Sequence, residues 1–437
     1  MPVIGYIPFD AGATSAEARW VKDHFACDVA IADGLPRLND PLTIGLPPLP
    51  IVRDAIDRLL RLDWLIAEGP AAFLWVVVLR HYGFEGGATI LPYLNPRRWQ
   101  DVADAVLYTR CSDSRDRVYL GSTPSARIYR RLGVAAHVGE PYGIDDSRFR
   151  PRPAAADVLQ RLGIPRGRLL LFAGRAQPDK DLYALLRTAL KARILFPDLQ
   201  VVLATHVVDQ AYVATLRREV GPGSGVHVVE RPEDEDLADL YSAADVFATA
   251  ATSHFETFGR ALAEALACGA PAVAPSYDGF AEVLAQPGGT IVGVDVDDSG
   301  PRVREDELLR AIYEVLTAPD RVAASQISAA AHRRFGRSRT IELLAHVVTH
   351  DRAPSIDLEE RADSLTLPAV WEREMQQLSA LPAGAALDRV WNSHGDERGA
   401  AAWELSALDG LFVASVRRAL CVDRPQPCRR QEPRDAA

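Results

Sequence analysis

The 437-residue chain has very little lysine and cysteine, and these scarcities narrow what the protein can bind. Its 49 basic residues include only Lys22, Lys180 and Lys191, so a lysine at a predicted ligand site stands out. The net charge of −10 favours neither nucleic acid nor anionic lipid as a partner. The five cysteines lack the spacing of metal ligands, which is typical of free thiols in a reducing compartment.

Long apolar runs are also lacking, and we expect no leader segment. The longest apolar run covers residues 71–79, far fewer than the roughly 20 residues that a membrane-spanning helix needs. The opening MPVIGY is typical of a strand and does not resemble the charged start of a signal peptide. We therefore expect a cytoplasmic, soluble protein without a transmembrane segment.

Short apolar runs alternate with amphipathic segments, a pattern typical of doubly wound parallel α/β sheets. We predict one Rossmann-like domain over residues 1–145 and a second over 146–350, facing each other across a cleft. A helical extension over 351–422 is predicted to pack back on the first domain, and the Pro- and Arg-rich tail 423–437 to be disordered. The predicted strands are Val3–Phe9, Asp28–Ala32, Leu42–Leu46, Asp63–Ala67, Thr89–Leu94, Ala105–Thr109 and Val118–Gly121, followed by Leu169–Ala173, Leu199–Ala204, Val226–Val229, Val246–Ala248, Ala272–Ala274 and Thr290–Val292.

The segment SHFETFGRALAEALACGAPAVAP, residues 253–275, carries the strongest functional signal. It places Glu256 and Glu264 around a Phe-Gly turn at the start of an apolar helix. A helix start offers unpaired N–H donors to a phosphate group, which a carboxylate would crowd, so we interpret Glu256 as facing a sugar hydroxyl. Glu264 lies roughly 12 Å further along the helix, a distance that suits a ribose. Its apolar neighbours leave no polar face, and a buried carboxylate needs a partner.

A second candidate cluster follows the strand Leu169–Ala173, in the segment GRAQPDK. Arg175 can bind phosphate oxygens through two donors, and Lys180 supplies a compact positive charge. Both follow the carboxyl end of a predicted parallel strand, where open α/β sheets bind their ligands. The two side chains are therefore candidates for binding phosphate.

These segments resemble the E-x7-E and G-R-x-x-x-x-K motifs of retaining glycosyltransferases of the GT-B fold, in the glycogen-synthase-like family four (group 1). The turn formers of EPYGIDDSRFRP, residues 140–151, resemble the linker between the two domains of that family. The resemblance implies transfer of a sugar from a UDP- or GDP-sugar bound by the second domain to an acceptor bound by the first, with no metal or other cofactor.

The resemblance also implies roles for individual residues. Glu256 would contact the donor sugar and Glu264 the ribose, while Arg175 and Lys180 would stabilise the departing diphosphate. The other donor-binding candidates are Gly12, Arg231, His254, Thr257, Phe258 and Gly259.

The first domain departs from the family pattern. A single glycine, Gly12, stands where the family has a Gly-Gly turn, and Tyr93 or Asn95 stands where many members have a histidine. These two residues and His81 are the acceptor-binding candidates, with a structural role as the alternative for His81. The segment THVVD, residues 205–209, replaces a glycine-rich turn of the family.

We therefore predict a retaining glycosyltransferase that acts on a small soluble acceptor, such as a natural-product or cyclitol scaffold, with a homodimer as a candidate assembly and no nucleic-acid partner. Three alternatives remain open: a cell-envelope or polysaccharide glycosyltransferase, a sugar phosphorylase or epimerase of the same fold, and a non-catalytic degenerate transferase. The acidic segments at 234–236 and 295–297 are interpreted as solvated and not as metal ligands.

Overall fold

Two parallel β-sheets form the frame of the computed structural model, which describes residues 3–7, 16–25, 30–31, 57–70, 72–81, 83–96, 101, 104–105, 108–109, 112–139, 142–153, 157–221, 223–253, 256–297, 300–319 and 322–349. Within these residues each large sheet has six strands, and every strand pair in both sheets is parallel. Parallel sheets need helices on both faces, and the chain supplies them between the strands.

The first sheet has the strand order β2-β1-β3-β4-β5-β6. Its strands are short apolar runs, and β1, β3 and β4 are buried along their whole length. Its strands are β1 (Ile4–Ile7), β2 (Ala30–Ile31), β3 (Trp64–Glu68), β4 (Gly87–Leu91), β5 (Arg117–Leu120) and β6 (Ala136–Val138), and its helices are α1 (Ala16–Phe25), α2 (Ala72–His81) and α3 (Thr123–Arg131).

The second sheet has the order β12-β11-β10-β7-β8-β9, so the direction of winding reverses between β7 and β10. Its strands are β7 (Leu169–Ala176), β8 (Gln200–Val208), β9 (Val226–Glu230), β10 (Val246–Ala248), β11 (Ala272–Pro275) and β12 (Gly289–Val292). The helices of this part are α4 (Val158–Arg161), α5 (Leu182–Leu195), α6 (Gln210–Val220), α7 (Asp234–Ala243), α8 (Arg260–Ala267), α9 (Phe280–Leu284), α10 (Glu305–Thr317) and α11 (Ala324–Phe335). An antiparallel hairpin of β13 (Val294–Asp297) and β14 (Gly300–Val303) follows β12.

The last helix of the described residues, α12 (Arg337–Thr349), packs onto the first sheet. Its apolar residues Leu343, Leu344 and Val347 share a buried cluster with Ile4 and Tyr6 of β1. Residues 337–349, which the sequence analysis includes in the second domain, therefore pack against the first sheet. The segments 351–422 and 423–437 lie outside the described residues.

Most of the predicted strands are confirmed, including all six of the second sheet. Leu42–Leu46 lies outside the described residues, and the predicted strand Ala105–Thr109 is wrong, because residues 104–105 and 108–109 are helical. Ala105 and Tyr108 are both buried, which is the spacing of one helix face, and a short apolar run does not distinguish helix from strand. None of the helices described here combines the length and hydropathy that a membrane-spanning helix requires.

Candidate functional site

The candidate site lies where the second sheet reverses its winding. Arg175 is the second-to-last residue of β7, and Lys180 ends the 3₁₀ turn Pro178–Lys180 that follows this strand. Glu256 lies in the loop that connects the neighbouring strand β10 to α8. Strands on either side of such a reversal send their following loops to opposite faces, which opens a crevice at their carboxyl ends. The fold thus brings the two predicted phosphate-binding segments together.

Charged pairs join the two segments. Lys180 forms an ion pair with Glu256, and Arg175 donates to Asp179 with 2.6 Å between Nη2 and Oδ2. The Asp179 side chain is fully buried, and its Oδ2 is also 3.9 Å from Lys180 Nζ. We call Arg175, Asp179, Lys180 and Glu256 the donor cluster. Sequence reasoning missed Asp179, although its position directly before the candidate lysine was a usable signal.

The start of α8 is shaped by Gly259. This residue is left-handed, with φ of 86°, and a side chain there would meet the ring of Phe280 at 2.8 Å. The preceding ring, Phe258, is buried against Tyr142 and Phe335, with ring centroids 5.2 and 5.5 Å away. The Phe258 side chain thus belongs to the core and fixes the Phe-Gly turn, which leaves only its backbone for a ligand.

Glu264 has the partner that its burial requires. The hydroxyl of Tyr241 donates to Glu264 Oε2 at 3.0 Å, and Arg260 Nε lies 3.3 Å from Oε1. Burial raises the pKa of Glu264 despite the nearby arginine. Burial, together with the adjacent carboxylate, also raises the pKa of Tyr241 well above its ordinary value. Tyr241 therefore holds Glu264 on one side and leaves its other oxygen beside Arg260.

The opposite wall of the crevice is formed by the ends of β8 and β9. Arg231 follows β9 in a left-handed conformation, with φ of 51°, and its N–H donates to the carbonyl of Thr205. His206 comes next in β8, and desolvation together with Arg175 and Lys180 lowers its pKa. Arg231 is exposed at this edge of the second sheet.

Tyr93 and Asn95 reach the site from the first domain. The Tyr93 hydroxyl donates to Glu68 Oε1 at 2.6 Å, and the Tyr93 carbonyl accepts from Thr257 Oγ1 at 2.7 Å. Tyr93 has a φ of 63°, a conformation that costs energy for a large side chain and persists only when its surroundings enforce it. The structure therefore places Tyr93 directly against the residue that follows Glu256.

Asn95 is fully buried and donates through Nδ2 to Asp278 Oδ2 at 3.0 Å. Asp278 follows β11 in the second domain, and its other oxygen accepts from Ser122 Oγ of the first domain at 2.9 Å. We call Asn95, Ser122 and Asp278 the closure cluster. Burial raises the pKa of Asp278 to about 7.

Three predicted residues are not placed in this arrangement. Gly12 and His254 lie outside the described residues, and His81 is the last residue of α2. Among the residues that the structure describes, no group of three or more His, Cys, Asp or Glu side chains is placed to hold a metal ion.

Comparisons with known proteins show what the chain is similar to. Residues 159–320 match the family model described as Glycosyl transferases group 1. A D-inositol 3-phosphate glycosyltransferase of Thermobispora bispora is 33% identical over 260 residues, which cover 57% of this chain and 56% of the relative. A second enzyme of that name, from Catenulispora acidiphila, is 33% identical over 218 residues, or 47% of this chain and 48% of the relative. The chain thus matches about half the length of these curated relatives.

Solved structures extend the likeness to most of the chain. The Anabaena protein Alr3699/HepE, crystallised with UDP and glucose, aligns with a TM-score of 0.64 and 18% identity over 80% of this chain and 99% of its own. A glycosyltransferase from Rickettsia africae aligns with a TM-score of 0.60 and 13% identity over 79% of this chain and 97% of its own. At such identities the likeness establishes the fold, which is GT-B.

Proposed function

We propose that this chain, whose residues 159–320 match the family model of glycosyl transferases group 1, transfers a sugar from a nucleotide-diphosphate sugar to an acceptor hydroxyl with retention of configuration. One observation carries the proposal. Arg175 and Lys180, at and just after the end of β7, meet Glu256 of the loop after β10 at the reversal point of the second sheet, where open α/β folds bind nucleotides.

The proposed chemistry needs few protein groups. The bond between the anomeric carbon and the diphosphate oxygen breaks, and its electron pair stays on the diphosphate. The acceptor oxygen bonds to the same face of the anomeric carbon, and its proton passes to the departing phosphate oxygen. Arg175 and Lys180 stabilise the charge that develops on the leaving group, and Glu256 orients the sugar and stabilises positive charge on its ring. Glu264, held by Tyr241, binds the ribose.

A closed cleft protects this reaction from water. Thr257 Oγ1 donates to the carbonyl of Tyr93, and the closure cluster joins the two domains beside it. Water at the site would hydrolyse the donor, so the domain contact next to Glu256 favours transfer over hydrolysis.

The comparisons suggest which substrates to test first. The Anabaena neighbour was crystallised with UDP-glucose, and the relatives are D-inositol 3-phosphate glycosyltransferases. We propose a UDP-sugar as the donor and a small polar acceptor, with a phosphorylated cyclitol as the first candidate. Arg175 and Lys180 supply the positive charge that a divalent ion supplies in other transferases, so transfer should proceed unchanged in EDTA, as measured by product formation.

A ligand screen tests the donor site, and a transfer assay tests the activity. UDP, GDP, ADP and dTDP are added separately without metal, each at about a hundred times its dissociation constant, where binding adds about 2.7 kcal/mol of stability. We expect a raised melting temperature with UDP, and then a product with retained configuration, measured by NMR, from UDP-glucose and inositol phosphate. Release of sugar 1-phosphate in the presence of inorganic phosphate would instead identify a phosphorylase. No shift with any nucleotide would favour a non-catalytic protein.

A further inference from the structure

The donor cluster is electrically balanced without any ligand. Lys180 pairs with Glu256, and Arg175 pairs with Asp179. The two cations that would bind a diphosphate are thus each in contact with a carboxylate already. An arriving diphosphate has to compete for them, and the outcome depends on which carboxylate gives way.

The two carboxylates differ in how firmly they are held. The Asp179 side chain has no exposed surface, whereas that of Glu256 is 11% exposed. Asp179 lies within the short 3₁₀ turn that also contains Lys180, and α5 begins at Leu182, two residues after Lys180. Glu256 lies in a loop without regular structure, held by the hydrogen bond from its N–H to the carbonyl of Ser253 at 2.9 Å. Glu256 is therefore the carboxylate that can move away at lower cost.

Asp179 depends on the cations for its compensation. A buried carboxylate is costly unless it is paired, and Asp179 Oδ2 contacts Arg175 at 2.6 Å and approaches Lys180 at 3.9 Å. Its Oδ1 is buried and has no hydrogen-bond partner in the part of the chain that the structure describes. The same contacts restrain Arg175 and Lys180 before a ligand arrives. The two side chains therefore lose less conformational entropy when the ligand binds.

We propose that the two carboxylates have opposite effects on diphosphate binding: Asp179 is a positioning residue that holds Arg175 and Lys180 in place, and Glu256 competes with the diphosphate for Lys180. When a donor binds, its phosphate oxygens replace the Glu256 carboxylate at Lys180. Glu256 is then available to the donor sugar, which is its role in the proposed reaction. The inference rests on the proposed function, since it requires that Arg175 and Lys180 receive a diphosphate.

Titration calorimetry of three variants tests the opposite signs. UDP and uridine are the probes, because uridine lacks the phosphates and reports only the rest of the site. Asp179→Asn should weaken UDP binding about tenfold, the scale of a charge-assisted hydrogen bond, while Glu256→Gln should tighten it several-fold. Neither variant should change the affinity for uridine. Asp198→Asn is the matched control, because it removes a carboxylate that pairs with Arg168 at the surface, and it should change neither affinity.

Some results would overturn the inference. Weaker UDP binding by Glu256→Gln would show that this residue helps to hold the diphosphate, and equal shifts for UDP and uridine would show a general structural effect. If Asp179→Asn does not fold, the sign of the Glu256→Gln effect still decides the competition. A wild-type protein that binds none of UDP, GDP, ADP and dTDP would contradict the proposed function itself, whereas wild-type binding with unchanged variants would contradict this inference alone.

Discussion

The donor cluster and the closure cluster use buried carboxylates in different ways. In the donor cluster, Asp179 and Glu256 each lie against a cation, Arg175 or Lys180. In the closure cluster, Asp278 is surrounded by neutral donors, the amide of Asn95 and the hydroxyl of Ser122. Ion pairs can be exchanged for pairs with an anionic substrate, whereas a buried carboxylate bound by neutral groups has no such replacement. The first arrangement suits binding of a charged ligand, and the second suits holding two domains together.

The difference also appears in protonation. Burial raises the pKa of Asp278 to about 7, and its neighbour Glu282 shifts in the same direction for the same reason. Glu282 accepts from the Thr123 backbone N–H at 3.1 Å, so it too joins the second domain to the first. Asp278 therefore changes its charge near neutral pH.

The largest expected effect comes from breaking the donor cluster. Glu256→Gln should lower the rate of transfer by about a thousandfold, because it removes the carboxylate that stabilises positive charge on the sugar ring. The rate is measured with UDP-glucose and the acceptor found in the assay, and the melting temperature should stay within a few degrees of wild type. Asp198→Asn is the control, since it changes a surface carboxylate outside both clusters, and unchanged turnover in Glu256→Gln would refute the catalytic role.

Gly279→Ala should disturb the closure cluster more than the donor cluster. A methyl group at Gly279 would lie 2.8 Å from Ser122 Cβ of the first domain and 2.3 Å from the Thr257 carbonyl of the second, so the domain contact and the backbone after Glu256 must both shift. We expect kcat to fall by about tenfold or more, with overpacking costing about 1–3 kcal/mol of stability. The dissociation constant for UDP should change less than threefold, because Arg175, Lys180 and Glu264 all belong to the second domain. A large loss of UDP affinity would show that the two clusters are not independent.

Asp278→Asn should flatten the dependence of stability on pH. The pKa of Asp278 is about 7 in the folded protein, above its ordinary value of 3.8, so the folded state binds its proton more tightly. The contribution of Asp278 to the free energy of unfolding is present at low pH and is lost as the pH rises towards 7. An asparagine stays neutral and keeps the acceptor for Asn95, so the stability of the variant relative to wild type should rise by a few kcal/mol between pH 4 and 7.

The effect is measured from the melting temperatures of wild type and Asp278→Asn, compared at each pH between 4 and 7. The groups facing Asp278 are Asn95, Ser122 and Ser125 of the first domain and Glu282 of the second. The Glu282 carboxylate raises the pKa of Asp278, so the difference between the two proteins reports Asp278 together with this coupling. Parallel curves would show that Asp278 is not the group responsible.

The sequence predicts those parts of the site whose residues lie close together along the chain. Arg175 and Lys180 lie in one short segment at the end of β7, and Glu256 and Glu264 lie in the loop and helix that follow β10. Short motifs therefore identify them. Asn95 and Asp278 are 183 residues apart, and no local pattern in either segment names the other. The strands could be predicted for the same reason, because the alternation of apolar runs is a local pattern. The apolar run at 105–109 was too short to distinguish a helix from a strand.

Asp179 and Tyr93 show two further limits. The sequence shows Asp179 directly before the candidate lysine, but only the packing of the 3₁₀ turn shows that it is a buried partner of Arg175. Tyr93 was predicted to contact the acceptor, and the structure places its carbonyl against Thr257 and its hydroxyl against Glu68. An acceptor role for Tyr93 stays a prediction, and its contacts between the domains add a second reason for a tyrosine here.

The smallest expected effect tests whether domain closure acts as one unit. Thr257→Val keeps the shape of the side chain and removes the 2.7 Å hydrogen bond to the Tyr93 carbonyl, which should cost about 1 kcal/mol. Combined in a double-mutant cycle with Ser122→Ala, which removes the 2.9 Å hydrogen bond to Asp278, it measures the coupling between two contacts that join the same pair of domains. Contacts that break together in one opening motion should be non-additive in kcat by more than 0.5 kcal/mol, or about twofold. Additive losses would mean that each contact acts locally, and Thr257 would then position only the neighbouring Glu256.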